Sequence, residues 1–261
     1  MMCTLRNTKS HAFNSEKQPN SSASAMFDLV MIENSVKSLN RDAQPTHATL
    51  IIDTDNYLVN FLCKHLINPL VLYTCPSFKE AQYRIQNSII DHIVMEVFTL
   101  DENALEALNF IYQVQTKHPD MRITVFTETR NRYLLQVLRS FPRINIVSKY
   151  EAMPELIHAV QACWEEEPFY SQYIIDLMFD IARPDAFSEI EWTVLNALAK
   201  SIPAQDVAKI INKSYHTLFY YIKKIDKKLH IKSKGEHVKM LQALNSNPLK
   251  NTVVPYIDRF N

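Results

Sequence analysis

The chain has one glycine, Gly235, among its 261 residues. Phosphate-binding loops of the P-loop and dinucleotide-binding types need several glycines, because their tight turns and close backbone approach leave no room for side chains. The elbow that presents the nucleophile of serine hydrolases has the same requirement. The sequence therefore excludes nucleotide-dependent enzymes built on such loops and hydrolases built on that elbow.

Cysteine is scarce as well, and Cys3, Cys63, Cys75 and Cys163 lie far apart without a C-x-x-C pair. No histidine cluster adds metal ligands at useful spacing, so we expect reduced thiols in a cytosolic (cytoplasmic) protein, with no metal and no cofactor. An apolar export segment is lacking, as is any run of about eighteen apolar residues without a charge. We expect no membrane association.

The chain as a whole lacks a net charge, because 28 basic residues balance 28 acidic ones. Any nucleic-acid signal must therefore come from local asymmetry. Residues 187–244 provide one, with ten lysines and no arginine against five acidic residues. The resulting net charge of +5 is confined to this segment.

The length allows two modest domains after an N-terminal arm. Residues 1–46 begin with a Ser, Asn, Lys and Thr-rich stretch that has too few large apolar side chains to offset ordering entropy, so we expect a mostly disordered arm. Residues 166–185 are predicted to form a linker with room for one helix before Pro184. Residues 246–261 are predicted to be a C-terminal tail.

Short apolar runs alternate with amphipathic stretches over residues 47–165. They predict strands at 50–52, 70–73, 93–97, 123–126 and 144–147, and helices at 57–68, 78–90, 103–117, 130–140 and 154–164. A capping box at Ser77 and Glu80 is predicted to begin the second helix. The alternation implies right-handed crossovers and a parallel sheet. The predicted fold class is α/β, a flavodoxin-like doubly wound domain with its sites at the carboxyl ends of the strands.

Residues 186–245 carry the signals of an all-α domain of four helices. Capping boxes that start at Ser188 and Ser233 begin the first and fourth helices, and Pro203 suits the first turn of the second. Ser214 is predicted to cap a long basic third helix over 215–229. Two short helices, a tight turn and a long third helix are typical of a helix-turn-helix unit.

At this point a family resemblance becomes specific. Residues 187–238 resemble the LuxR/FixJ-type DNA-binding domain in one continuous stretch, with the helix-turn-helix beginning at Ala204 and ending at Lys223. The matching positions are Phe187, Ser188, Glu191, Val194, Leu195, Ala199, Val207, Ala208, Ser214, Thr217, Leu218, Ile225, Lys228, Leu229, Ile231 and Ser233.

This resemblance implies a transcription regulator that binds double-stranded DNA as a dimer, with its third helix in the major groove and its fourth helix supplying dimer contacts. Thr217 would touch the DNA backbone, Tyr220 and Lys223 would face base edges, and three lysines would contact phosphates. The full set of expected DNA-binding residues is Ser214, His216, Thr217, Phe219, Tyr220, Lys223, Lys224, Lys227 and Lys228.

The sequence departs from the family pattern at four positions. Phe219 replaces the usual lysine, Tyr221 a histidine, Lys213 an apolar residue and Ser201 a glycine. The base preference therefore need not be that of typical members, and apolar contact of Phe219 and Tyr220 with thymine methyl groups is one weak expectation. The alternative for the lysine pairs is a solvated helix face, and for the aromatic residues it is core packing, with Tyr221 as the expected inward-facing side chain.

The α/β segment resembles, more weakly, the receiver domain that commonly precedes this helix-turn-helix. The resemblance places Asp53, Asp55, Glu96, Thr127 and Lys149 in a receiver-like pocket. Glu96 occupies the position of the phosphate-accepting aspartate, so we expect a receiver fold that takes no part in phosphorelay, with Glu96 partly imitating a phosphorylated aspartate. The alternatives are surface or turn roles for these residues.

The leading hypothesis is a dimeric, phosphorylation-independent DNA-binding transcription regulator, similar to atypical receiver regulators that act alone or pair with a conventional response regulator. The second is an interaction module that heterodimerises with another LuxR-type regulator without reading DNA. An enzyme is the least favoured class, because no nucleophile, base and orienting group can be placed together from the sequence.

Overall fold

A computed structural model describes residues 48–65, 72–161 and 167–252, so the predicted arm at 1–46 lies outside the described residues. The strands are β1 Thr49–Ile52, β2 Leu72–Cys75, β3 His92–Met95, β4 Arg122–Thr127 and β5 Ile144–Ser148. The helices are α1 Asn56–His65, α2 Phe78–Asn87, α3 Ala104–Lys117, α4 Arg132–Ser140, α5 Met153–Gln161, α6 Gln172–Leu177, α7 Glu189–Ala199, α8 Ala204–Ile210, α9 Tyr215–Lys228, α10 Lys234–Asn245 and α11 Pro248–Thr252. Within this part of the chain, no helix is long and apolar enough to cross a membrane.

The five strands named above form one parallel sheet in the order β2-β1-β3-β4-β5. Every residue of β1, β3 and β5 is buried, as expected for strands that are covered by helices on both faces. The strand order reverses beside β1, which places a crevice at the carboxyl ends of β1 and β3. The predicted flavodoxin-like fold is confirmed.

One addition to the sheet was not predicted from the sequence. Tyr170 forms a parallel bridge with Ile146 of β5, and Ile146 N–H donates to the Phe169 carbonyl at 2.9 Å. The Asn145 side chain reinforces this pairing by accepting from the Phe169 N–H at 2.8 Å. Part of the expected linker therefore pairs with β5, whose outer backbone groups would otherwise lie at an edge of the sheet.

The capping predictions are confirmed for α7 and α9 and are partly wrong for other helices. Ser188 and Glu191 form both bonds of a capping box, and the Ser214 hydroxyl caps α9. Ser77 caps α2 by accepting from the Glu80 N–H at 3.3 Å, and the Glu102 carboxylate, which was not predicted here, accepts from the Phe78 N–H at 2.8 Å. Such acceptors suit a helix start because the first turn leaves several N–H groups unpaired.

Two further helix starts differ in detail from expectation. Ser233 caps α10, while the Glu236 carboxylate accepts from Lys232 N–H at 2.6 Å instead of from the cap residue. Pro203 lies at the N-cap of α8, one position before the helical turn in which it was expected. Its lack of an N–H suits either position, because neither would use one within the helix.

The two folded regions pack against each other through α7 and α10. The Trp192 ring of α7 is 3% exposed, stacks on Tyr112 of α3 with ring centroids 5.1 Å apart, and meets Phe141 edge-on at 5.4 Å. Helix α10 contacts both α3 and α4. Two amide pairs add polar contacts, Asn109 with Asn196 at 3.1 Å and Asn103 with Asn245 at 3.2 Å.

The scarcity of glycine has a local cost in the turns. Arg143, Ser201, Asn212 and His230 adopt positive φ values between 52° and 59°. A side chain in this left-handed region costs roughly 1 kcal/mol, which glycine avoids. Ser201, with φ 59°, lies just after α7, where many helices end with glycine.

We therefore expect Ser201→Gly to raise the free energy of unfolding by about 0.5 kcal/mol, because the relief of left-handed strain exceeds the added entropy of the unfolded chain. Chemical denaturation measures this difference. Ser246→Gly is the matched control, since Ser246 has an extended backbone (φ −81°) and should gain nothing. Destabilisation by the Ser201 change would contradict the strain argument.

Candidate functional sites

A buried ion triad lies at the carboxyl ends of β1, β3 and β5. The Lys149 Nζ lies 2.8 Å from Asp53 Oδ2 and 3.1 Å from Glu96 Oε2. These residues directly follow three strands that share one sheet, which is why residues far apart in sequence meet here. Two carboxylates therefore share one ammonium group.

Backbone N–H groups complete the environment of Glu96. Its Oε1 accepts from Val97 N–H at 2.7 Å, and its Oε2 accepts from Glu128 N–H at 3.2 Å. Burial nevertheless raises the pKa of Glu96, against the opposing effects of Lys149 and the Thr127 hydroxyl. Burial by itself lowers the pKa of Lys149, but the carboxylates of Glu96 and Asp53 have the larger combined effect and raise it.

The other expected members of the receiver-like pocket lie nearby with different roles. Asp55 is exposed and its carboxylate accepts from Leu58 N–H at 3.3 Å in the first turn of α1. Thr127 is fully buried and accepts from Thr129 N–H at 3.1 Å. The structure thus brings all five residues to one end of the sheet, with Asp53, Glu96 and Lys149 in direct contact.

A cavity of about 700 Å³ opens over this triad. One wall carries Asp53, Glu96 and Lys149, and the other is formed by the end of α10 and residues 246–249. The Asn247 side chain fixes that second wall by donating to the Thr99 and Glu102 carbonyls at 3.0 and 2.9 Å. This contact could not be predicted from the sequence, since a lone asparagine after a helix predicts only a turn.

The second candidate site is the outer face of α9. Phe219 is 42% exposed and Tyr220 is 62% exposed, with the neighbouring His216 and Lys223 also in solvent. The Ser214 and Thr217 hydroxyls lie 2.8 Å apart at the start of the helix. Tyr221 packs against the core, as expected. The helix therefore presents an aromatic and basic surface rather than a purely charged one.

A buried carboxylate of α7 fixes the opposite end of α9. Glu191 is fully buried, with its Oε1 2.9 Å from Lys224 Nζ and its Oε2 2.8 Å from Lys228 Nζ. Burial by itself raises the pKa of Glu191, but hydrogen bonds from Lys228, the Ser188 N–H and Lys224 prevail and lower it to about 2. The sequence predicted only the capping role of Glu191.

This arrangement corrects the expectation for Lys228. Its side chain is 15% exposed, and its Nζ also donates to the Ala186 carbonyl at 2.6 Å. An ammonium held by a buried carboxylate and a carbonyl is directed inward, which disfavours the phosphate contact expected of Lys228. Lys223 and Lys227 are exposed, and Lys224 is 44% exposed.

The fold and these two sites define a protein with a receiver-like α/β domain followed by a four-helix domain that contains a helix-turn-helix unit. No protein-family model matches the chain. The fimbriae Y protein of Salmonella typhimurium strain LT2 is 20% identical to it over 195 residues, which are 75% of each chain.

Solved structures are similar in fold. A complex of the two-component response regulator RcsB with DNA matches with a TM-score of 0.50 at 19% identity, over 76% of this chain and 98% of that one. RcsB from Salmonella enterica serovar Typhimurium, bound to the rprA promoter with phosphomimetic BeF3−, has a TM-score of 0.49 at 19% identity, over 76% and 100% of the two chains. At this level of identity the likeness concerns the fold.

Proposed function

We propose that the chain is a sequence-specific DNA-binding transcription regulator that acts in the cytoplasm as a dimer. The observation that carries this proposal is the exposed aromatic and basic face of α9, the second helix of the helix-turn-helix unit. The structurally similar RcsB was solved with DNA, which supports DNA binding by this chain. We propose residues 47–165 and 186–245 as the receiver-like and DNA-binding domains.

In this proposal the base-facing and phosphate-facing residues differ. Tyr220 and Lys223 lie on the outer face of α9 and would reach base edges, while Lys224 and Lys227 would contact phosphates. Ser214, His216, Thr217 and Phe219 would meet the DNA at the first turns of the helix. A contact with the DNA phosphate backbone fixes where the protein lies along the duplex, whereas a contact with base edges determines the preferred sequence.

We expect Lys223→Ala to weaken binding to a selected DNA site by about 5- to 150-fold, because a base-edge contact contributes about 1–3 kcal/mol. Tyr220→Ala should alter the preferred sequence. A labelled-DNA mobility shift after site selection measures both. Lys117→Ala, which removes the same charge from an exposed position of α3, is the control. Unchanged binding by both α9 variants at every salt concentration would show that the helix is not the DNA-reading element.

We further propose that regulation does not use phosphorylation. Glu96 has a longer side chain than aspartate, and its two oxygens already accept hydrogen bonds from Val97, Glu128 and Lys149. A glutamate held in this way occupies the position expected for the phosphate-accepting aspartate, and its contact with Lys149 forms without a phosphodonor. It can bias the pocket permanently without a phosphodonor.

Treatment with acetyl phosphate should therefore leave the intact mass of the protein unchanged. A conventional response regulator treated in parallel should gain one phosphoryl group. The measurement is mass spectrometry under conditions that preserve acyl phosphates. A stable adduct on Asp53 or Asp55 would overturn the proposed independence from phosphorylation.

The alternative function is heterodimerisation with another LuxR-type regulator without DNA reading. Phe219 favours it, because a large apolar side chain that is 42% exposed on a DNA-facing helix also suits a protein contact. Size-exclusion chromatography with and without a partner regulator, next to the mobility shift, separates the two functions. Partner binding without DNA binding would favour the alternative.

A further inference from the structure

A basic cleft of about 620 Å³ lies between residues 182–185 and the C-terminal half of α9. Arg183 and Asp185 contribute to one wall, and Tyr220, Lys223 and Lys227 contribute to the other. These three α9 residues follow one another at spacings of three and four, so they share one face of the helix. The cleft therefore continues the proposed DNA-reading face onto the segment between the two domains.

The charges around the cleft favour an anion. Lys224, Lys228 and His230 also line it, and the opposing acidic groups are Asp185 and the buried Glu191 behind α9. Glu191 is shared by Lys224 and Lys228, whereas Lys223 and Lys227 form no ion pair within residues 48–65, 72–161 and 167–252. Two exposed ammonium groups and one guanidinium thus face a single exposed carboxylate.

Arg183 is held in place by the receiver-like domain. Its Nε donates to the Arg139 carbonyl at 3.0 Å and its Nη2 donates to the Phe141 carbonyl at 3.3 Å. A guanidinium group has five N–H donors, so these two bonds orient the group and leave donors for a ligand. An arginine oriented in advance is well suited to bind phosphate, because little side-chain freedom remains to be lost.

We propose that this cleft binds a phosphate group and that Arg183 completes the site from outside the DNA-binding domain. If the phosphate belongs to the DNA backbone, the inference rests on the proposed function and adds a contact that the receiver-like domain holds in position. The same chemistry fits a phosphorylated small molecule. In either case, docking of residues 182–185 on the receiver-like domain sets the affinity of the site.

Three variants test this site through DNA affinity measured as a function of salt. Lys227→Ala and Arg183→Ala should each weaken binding by about 3- to 10-fold and lower the slope of log affinity against log salt by about 0.9. Asp185→Asn should change affinity in the opposite direction, with a gain of about twofold. Lys117→Ala is the charge-matched control and should change neither quantity. Lys227→Ala does not disturb the bonds of Arg183 to the receiver-like domain, so it separates phosphate binding from linker docking.

A second arm uses pyrophosphate as a free probe and thermal unfolding as the readout. Unchanged DNA affinity in the cleft variants, together with a pyrophosphate-dependent rise in Tm that Lys227→Ala abolishes, would identify a free phosphorylated ligand as the source. Weaker DNA binding by Lys223→Ala and a changed sequence preference of Tyr220→Ala, with no effect of the Arg183 and Lys227 variants or of pyrophosphate, would overturn the cleft and the phosphate contact of Lys227. DNA reading by Tyr220 and Lys223 would stand. If the unaltered protein does not bind DNA, the function fails and the pyrophosphate arm still tests the cleft.

Discussion

Replacing Glu191 by glutamine is expected to lower the free energy of unfolding by about 3 kcal/mol at neutral pH. The pKa of Glu191 falls from its ordinary value of 4.5 to about 2 in the folded protein, and each unit corresponds to about 1.4 kcal/mol. The substitution keeps the shape and the capping oxygen but leaves Lys228 without its counterion. Lys224 loses less, because its ammonium is largely in water.

The stability contributed by ionised Glu191 is expected to depend on pH. Because the folded pKa is depressed, the stabilisation is complete above about pH 4.5 and is lost as the pH falls toward 2. Denaturation of the two proteins in parallel should therefore show a constant difference near neutrality that shrinks below pH 4.5. A difference that stays constant to pH 3 would contradict a charge effect, and Glu189→Gln, at an exposed position of the same helix, is the matched control.

The positions of strands and helices could be predicted because they depend on local patterns. The parallel sheet follows from the alternation of apolar runs, and the caps of α7 and α9 follow from Ser188 and Ser214. The five pocket residues could be found because each follows or ends a strand, and the ends of parallel strands meet at one edge. Their arrangement still required the structure, since nothing in the sequence shows that Lys149 bridges Asp53 and Glu96.

The unpredicted features depend on contacts between segments that are distant in sequence. Lys224 and Lys228 have a common counterion on another helix, and their i, i+4 spacing was the only signal that two like charges on one face needed one. Arg183 and Asn247 bind backbone carbonyls, which every residue offers, so no residue pattern marks their partners. Hydrogen bonds of this kind are specified by the tertiary fold and leave little trace in the sequence.

Trp192→Ala is the second change with a large expected effect, a loss of about 3–5 kcal/mol, as for other buried aromatic residues cut back to alanine. Trp192 packs on Tyr112 and Phe141 of the receiver-like domain, so the cavity would open between the two domains. The unfolding transition should then separate into two, because the aromatic part of the contact between the domains is lost. Circular dichroism and limited proteolysis in residues 179–186 should report this separation.

Leu218→Ala is the matched control for this change, because Leu218 is fully buried in α9. Its truncation is expected to lower the free energy of unfolding of the DNA-binding domain by a similar amount. Equal destabilisation by both variants, with cleavage between the domains accelerated only by Trp192→Ala, would locate the coupling at the Trp192 contact. Since Arg183 is fixed by carbonyls of Arg139 and Phe141, loosening the same interface should also weaken the basic cleft. Cleavage at equal rates in the two variants would mean that Trp192 stabilises its own domain without coupling it to the receiver-like one.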